Sequence, residues 1–258
     1  MKLKPIILGV MVAAMSFQAL SWGQIGHRVT GAIAENYLTA EAKLAIAKIL
    51  PNETLAEAST WPDEMRSNPS EFWKKIAGPY HYVTIPDGKA YGDVGAPEQG
   101  DGFSALQAFT MQLKNDKTNI EQKQLALRFI IHIIGDLHQP FHAGNGTDRG
   151  GNDVKLKFFW QDSNLHRVWD SGLIDSQQLS YTEWSAILLA KISKQQAQQW
   201  MGVDPHIWIA ESAKLRAKLY PDSDEISWDY QYQNLPIVKK RLQMGGVRIA
   251  AYLNELFK

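Results

Sequence analysis

Apolar residues in this chain recur mostly three and four positions apart, the period of an α-helix. One stretch departs from that rule by being apolar on nearly every side. From Leu125 to His142 it reads LALRFIIHIIGDLHQPFH, which predicts a helix buried all round in the middle of a domain. His132 and Asp136 are four apart within it, so they project within ~40° of each other on one face. A carboxylate and an imidazole in that setting are costly unless something satisfies them. Pro140 removes a backbone donor and is expected to bend or end the helix, turning His142 away from the other two.

Further helices are predicted around this element. Trp22 to Leu38 has helical spacing with His27 near its start, and Thr39 caps a second helix that Pro51 closes. STWPDEMR, from Ser59 to Arg66, interrupts any regular pattern before a short helix around Glu71 to Ile76. PYHYVTIP, from Pro79 to Pro86, alternates and predicts an extended segment carrying His81. A glycine-rich loop runs from Lys89 to Gly102, a helix from Ser104 to Leu113, and the central helix from about Asn119. Glycine dominates Ala143 to Asn152 and permits tight turns. DVKLKFFW predicts a short strand, and NLHRVWDSG places His166 and Asp170 four apart on a helical turn. Helices are then expected over Thr182 to Ile192, Lys194 to Met201, Pro205 to Leu219 and Leu235 to Phe257. With no repeat and no interdomain linker, the expected fold is all-α, a single mainly helical domain with a few short strands.

Composition adds a compartment. At 258 residues and 45% apolar the chain can bury a full core. Lys2 and Lys4, the apolar run from Pro5 to Met15, and the small residues Ala19 and Ser21 read as a secretory signal over residues 1–21, cut before Trp22. The run is too short to span a bilayer and no later apolar window is long enough. A secreted or periplasmic monomer with no stable membrane association is expected. Export usually invites disulfides, yet cysteine is absent, leaving packing and metal as reinforcement. The first 21 residues hold two of the 27 basic side chains and none of the 27 acidic ones, so the remainder sums to −2. That is unlike the basic signature of a duplex-DNA binder, although bound divalent cations would attract phosphate locally.

Five of the seven histidines, namely His27, His81, His132, His142 and His166, fall beside acidic residues or polar turns. With Asp63, Asp136 and Asp170 they make eight candidate ligands of the nitrogen and oxygen kind that zinc accepts. A single buried histidine is ordinarily a hydrogen-bonded core residue. Two separate His-x3-Asp pairs, one inside an apolar helix, together with a histidine redirected by proline, point jointly to metal. His138 is expected to bond a carbonyl or a ligating carboxylate, and His206 to be ordinary structure.

Trp22-x4-His27, WPD at Asp63, HYV at His81, H-x3-D-x-H-x3-H from His132 to His142, GGN at Gly150 to Asn152 and LHxxWD ending at Asp170 stand in a specific order. In that order and spacing, over nearly all of residues 22–258, the chain resembles the S-one/P-one class of zinc-dependent, single-strand-preferring type I nucleases. The resemblance implies three Zn2+ ions. One would be held by Asp63, His81, His132 and Asp136. A second would be held by the α-amine and carbonyl of Trp22, by His27, and by Asp136 as a bridge. The third would be held by His142, His166 and Asp170. It also implies hydrolysis of single-stranded DNA and RNA to 5′-phosphate products and action on 3′-nucleotides. The second site would be complete only after cleavage frees the Trp22 amine.

Other positions carry two readings each. Arg66 either contacts phosphate or an orienting carboxylate, or is simply exposed. Asn152 either steadies the phosphate or leaving oxygen, or only makes a turn. Tyr82 stands where relatives carry an aromatic that stacks on a base, and Ser171 is a second candidate for substrate binding. The chain departs from the fungal pattern at Thr84 and Ser171, where some relatives have Asp and Asn, and in lacking cysteines. A zinc phospholipase C is the nearest alternative, but its last ligand is typically Glu where this chain has Asp170. A non-enzymatic exported zinc-binding protein would want closed four-ligand sites.

Overall fold

The computed structural model describes residues 22–258; the signal read over residues 1–21 lies outside the described residues. The longer helices are α1 (Gln24–Glu35), α2 (Ala40–Ile49), α3 (Gly102–Lys114), α4 (Ile120–Asp136), α5 (Tyr181–Leu189), α6 (Lys194–Trp200), α7 (Pro205–Arg216) and α8 (Trp228–Leu256). The strands are short: β1 (Val83–Thr84), β2 (Ala143–Gly144), β3 (Lys155–Phe158), β4 (Gln161–Asn164) and β5 (Glu225–Ile226). The mainly helical, single-domain expectation therefore holds.

Local chemistry sets the helix starts. The Thr39 side chain accepts from Ala42 N at 3.2 Å, and Asn119 accepts from Gln122 N at 2.9 Å to open α4. α3 begins before the expected Ser104 because Asp101 is its cap. Asp101 Oδ1 accepts from Ser104 N, and Ser104 Oγ accepts from Asp101 N, satisfying otherwise orphaned donors reciprocally.

From Phe129 to Asp136 every residue of α4 is buried, as its all-round apolar pattern requires. α3 packs along it, and α1 and α8 close the other side. α1 and α8 approach so closely that a Cβ on Gly246 would fall 2.5 Å from the Ile33 side chain; only glycine fits there. Two large apolar clusters and a small one around Trp200, Met244 and Val247 result among the described residues. Phe129, Ile130, Ile133, Leu137 and Ala143 belong to one of the large ones, and Trp22, Phe141, Leu165 and Trp169 to the other. The polar residues that neighbour these in sequence lie at the seam.

Three expectations are corrected. STWPDEMR is not irregular: Trp61–Glu64 is a helical turn with Pro62 at its first positions, followed by a 3-10 turn over Met65–Ser67. Proline there costs no hydrogen bond and pre-sets φ. For the same reason Pro79 seeds a 3-10 turn, Gly78–His81, so His81 closes a turn and only the chain after it is extended. The last helix starts at Trp228, not Leu235, and runs through Pro236. The carbonyl that Pro236 leaves unpaired belongs to Tyr232, a residue 84% exposed, where water can satisfy it.

Candidate metal centre

α4 ends at Asp136, and Leu137 to Gln139 turn the chain into a 3-10 turn, Pro140–His142. Pro140 thus neither bends nor ends the helix, which has already stopped; it opens the next turn, which carries His142 Nε2 to Asp170 as expected but leaves Nδ1 beside Asp136. β1 and β2 then pair in parallel, Val83 opposite Ala143, which draws the His81 segment beside His142.

Eight of the predicted ligands converge in two linked groups. In the first, His81 Nδ1 lies 2.7 Å from His132 Nε2, 3.2 Å from Asp136 Oδ2 and 3.8 Å from Asp63 Oδ1. His132 Nε2 lies 3.0 Å from Asp136 Oδ2. Ligands bound to one zinc at ~2.0–2.1 Å in a tetrahedron are separated by roughly 3.3 Å, so these spacings fit. Asp136 divides its oxygens: Oδ2 faces His81 and His132, whereas Oδ1 lies 3.2 Å from His27 Nε2 and 3.4 Å from His142 Nδ1. A carboxylate so placed can bridge two ions. In the second group, Asp170 Oδ1 is 3.4 Å from His142 Nε2, and Asp170 Oδ2 is 3.1 Å from His166 Nε2. The buried sets able to hold an ion are His27, His132 and Asp136; Asp63, His81 and His132; and His142, His166 and Asp170.

Three of the imidazoles are locked by backbone. The Nδ1–H of His132 donates to Ser59 O, that of His142 to His81 O and that of His166 to Gly150 O, each at 2.6 Å. Donation from Nδ1 puts the proton on that nitrogen and leaves Nε2 as the atom that would bind metal. Gly150 is required for its part: φ is +62° and a Cβ would stand 2.4 Å from Phe141 O. Asp136 Oδ1, His142 Nε2 and Asp170 Oδ2 are buried with no hydrogen-bond partner, although each faces an imidazole or a carboxylate within 3.4 Å. Buried polar atoms left in that condition, converging on shared points, suit an ion between them.

Charge in the site tells the same story. Burial by itself pushes the carboxyls of Asp63 and Asp136 up, yet both are depressed, Asp136 well below the usual carboxylate range, because His132 and its neighbouring imidazoles surround them. Burial, then repulsion from His132, lowers His27, and burial lowers His81. Against burial, Asp136 raises His132, and Asp136 with Asp170 raises His142 to about 9. The carboxylates thus demand positive charge inside the protein, a role that divalent cations fill.

Trp22 is fully buried, with its indole N–H donating to Gly135 O at 3.0 Å, while Gly23 N–H donates to Asp170 O at 2.7 Å. The start of the described chain is therefore pinned between the two groups. Arg66 Nη1 is 3.4 Å from Asp63 Oδ1. A cavity of about 420 Å³ opens beside the second group, lined by Tyr82, Thr84, Phe141, Arg149, Asn152 and His166 among others. Asn152 donates its amide to Arg149 O at 2.9 Å. Ser171 is half-buried against Gly23, at the Trp22 end of the site.

His138 bonds a carbonyl, as one of its two expectations had it, not a ligating carboxylate. Its Nδ1 donates to Ile134 O at 2.6 Å, and its Nε2 meets Arg248 Nη1 at 3.0 Å. His206 packs against Tyr91 and Phe103. One participant had no sequence signal assigned to it. Gln139, fully buried, donates to Asp170 Oδ1 at 2.6 Å and accepts from Phe141 N at 2.5 Å. Its place in sequence between Asp136 and His142, flanked by the buried Leu137 and Phe141, is the available clue.

Against known proteins, the model of the S1/P1 Nuclease family matches residues 22–258. Endonuclease 4 of Arabidopsis thaliana is 32% identical, over 93% of this chain and 90% of its own. Nuclease S1 of Aspergillus oryzae is 28% identical over 97% of each. Among solved structures, the alpha toxin of Clostridium absonum aligns with a TM-score of 0.48 at 16% identity, covering 93% of this chain and 64% of that one.

Proposed function

Because the chain belongs to the S1/P1 nuclease family, we propose that it is an exported, zinc-dependent endonuclease. It cleaves phosphodiester bonds of single-stranded DNA and RNA to 5′-phosphate products and also acts on 3′-nucleotides. Residues 1–21 are a signal removed before Trp22, and residues 22–258 are the catalytic domain, working as a secreted or periplasmic monomer. No helix among the described residues is long and apolar enough to cross a membrane.

Asp63, His81, His132 and Asp136 would hold one zinc; the Trp22 amine and carbonyl, His27 and Asp136 a second; and His142, His166 and Asp170 a third. The observation that carries this reading is the set of Nδ1–H bonds fixing His132, His142 and His166 with their Nε2 atoms turned toward carboxylates. Zinc bound there supplies Lewis acidity, lowering the pKa of water from ~15.7 toward neutrality and offsetting phosphate charge. The chain's own part is positional. The backbone carbonyls hold the imidazole protons at Nδ1, and Arg66 restrains the Asp63 carboxylate from one side. Tyr82, 44% exposed on the cavity wall, offers a ring face to a splayed base, which a duplex cannot present. Asn152 stands across that cavity, where the phosphate or leaving oxygen would lie.

The test is metal content of the protein beginning at Trp22, with turnover on single-stranded DNA, RNA, a 3′-nucleotide and phosphatidylcholine micelles. Three zincs and strand cleavage are expected. Hydrolysis of the lipid alone would make it a phospholipase, and three tightly held zincs without any turnover would make it a binding protein.

A further inference from the structure

A second cavity, of about 500 Å³, lies between α7 and α8. Glu211, Lys214, Leu215 and Lys218 recur three and four positions apart, so α7 and the turn after it present them to one side. Ile237, Lys240, Arg241 and Met244 repeat that spacing along α8. Lys214, Lys218 and Lys240 are exposed at the rim, Leu215, Ile237 and Met244 supply an apolar wall, and Arg241, 2% exposed, makes the floor. Glu211 is the one carboxylate among the lining residues, and it is already shared: it accepts from Arg241 Nη1 at 2.9 Å and from Arg248 Nη1 at 2.6 Å.

Cations spaced four apart repel one another, and a guanidinium taken out of water requires counter-charge. Burial accordingly pulls Arg241 down to about 10, against the pull of Glu211. Residues 22–258 carry a formal −2, so this gathering of positive charge does not follow from a basic composition. The cavity shares no lining residue with the one beside the metal centre, yet its floor is braced on the same backbone. Arg241 Nε donates to His138 O at 2.9 Å, and Nη2 donates to Ser212 Oγ at 2.7 Å, which itself donates to Leu137 O at 2.6 Å. Leu137 and His138 open the turn that joins Asp136 to His142.

We propose that the cavity between α7 and α8 is a binding site, separate from the metal centre, for a phosphomonoester with a ring body: a nucleoside 5′-monophosphate. A phosphomonoester carries about two negative charges at neutral pH and three acceptor oxygens, which Lys214, Lys218 and Lys240 meet together. A backbone phosphodiester offers only one charge. The wall of Leu215, Ile237 and Met244 suits a base or ribose, and cavities of this volume take molecules of that size. The choice of nucleotide rests on the nuclease reading above, because strand cleavage to 5′-phosphates supplies this molecule; the charge argument stands without it. Free phosphate shares the headgroup chemistry but leaves the apolar wall unused.

The test titrates the zinc-loaded protein beginning at Trp22, carrying 13C at its methionine methyls, with 5′-AMP and with inorganic phosphate. Its methionines are Met65, Met111, Met201 and Met244. Met244 lines the cavity, whereas Met65 lies two residues from Asp63 and reports on the metal centre. 5′-AMP should shift the Met244 signal along a saturating curve. In K214E/K240E, changed only at exposed positions, that curve should move to about 10-fold higher 5′-AMP, the effect of one lost charge-assisted bond. Any response of Met65 should keep its wild-type midpoint, and K214R/K240R should restore the Met244 curve. A Met244 signal that does not move, or that saturates alike in wild type and K214E/K240E, overturns the proposal. So does saturation by inorganic phosphate at the same concentration as 5′-AMP, which would make this a site for free phosphate. A fall in kcat/KM on a long strand in K214E/K240E, with Met244 insensitive to 5′-AMP, overturns it in favour of strand backbone. Strand cleavage by wild type is read separately: its absence would overturn the nuclease reading, while the Met244 titration still decides the site.

Discussion

Gln139 fixes the rotation of the Asp170 carboxylate: its amide donates to Oδ1 at 2.6 Å, leaving Oδ2 turned to His166. The amide is itself held, because its oxygen accepts from Phe141 N. A partner that orients a ligating carboxylate commonly contributes 10–100-fold in metal affinity. Gln139→Leu removes the donor, and Gln139→Glu adds a repelling charge beside Asp170. Both should lose the third zinc to a weak chelator at about 10–100-fold lower concentration than wild type while keeping the other two. Metal analysis after graded chelation is the measurement, and three zincs retained with equal affinity would exclude the role.

Trp22 has no room to move. It is buried, its indole is bonded to Gly135 O beside Asp136, and Gly23 is bonded to Asp170 O. If the α-amine is a zinc ligand, one added N-terminal residue turns it into an amide, which is a very poor ligand, without disturbing those bonds. A protein beginning one residue early should therefore still fold but bind two zincs, melt lower by the stabilisation that the missing ion supplied, and lose roughly 100-fold or more in activity. Equal activity and metal content would remove the amine from the site.

Tyr82 follows His81, a proposed zinc ligand, and lines the cavity as a residue 44% exposed. Tyr82→Ala should raise KM on single strands about 10-fold, as loss of one stacked base does, and leave kcat within about twofold. Tyr82→Phe keeps the ring face and should behave like wild type. A fall in kcat with KM unchanged would mean that Tyr82 serves the reaction and not base binding.

Much of this centre is legible in the sequence for a physical reason. A histidine and an aspartate four apart in an all-apolar helix can be explained only by something that satisfies both, and His132 and Asp136 do converge on His27, His81 and Asp63. The convergence itself is not legible, because it depends on a two-residue parallel pairing, Val83 with Ala143 and Thr84 with Gly144, too short to leave a pattern. Proline misleads in a consistent way. At Pro62 and Pro79 it opens turns that the alternation hides, and at Pro236 it sits inside a helix because the carbonyl it frees is at the surface. Gln139 escapes because an uncharged amide carries no sign of its partner until the turn after α4 sets it against Asp170. β3 ends at Phe158, two residues before the expected Trp160, because Phe159 and Trp160 are residues of a strand and yet make the turn to β4.

His138 supplies a pH dependence independent of the charge on the proposed metal ligands. Burial first, and then the guanidinium groups of Arg241 and Arg248, hold its imidazole well below 6.5, so it stays neutral in the folded protein, with Nε2 accepting from Arg248. In the unfolded chain it titrates near 6.5. Below that pH the unfolded state binds a proton that the folded state refuses, so stability is unaffected above about 6.5 and falls as the pH drops, by about 1.4 kcal/mol per unit. His138→Gln keeps an acceptor for Arg248 but cannot ionise. It should be less stable than wild type at neutral pH, having lost the bond to Ile134 O, yet lose less stability on acidification. Urea unfolding of the metal-loaded proteins between about pH 5 and 6.5 should therefore show the two stabilities converging by about 1.4 kcal/mol per unit. Parallel lines would mean that wild-type His138 accepts its proton in place, by releasing Arg248, before the protein unfolds.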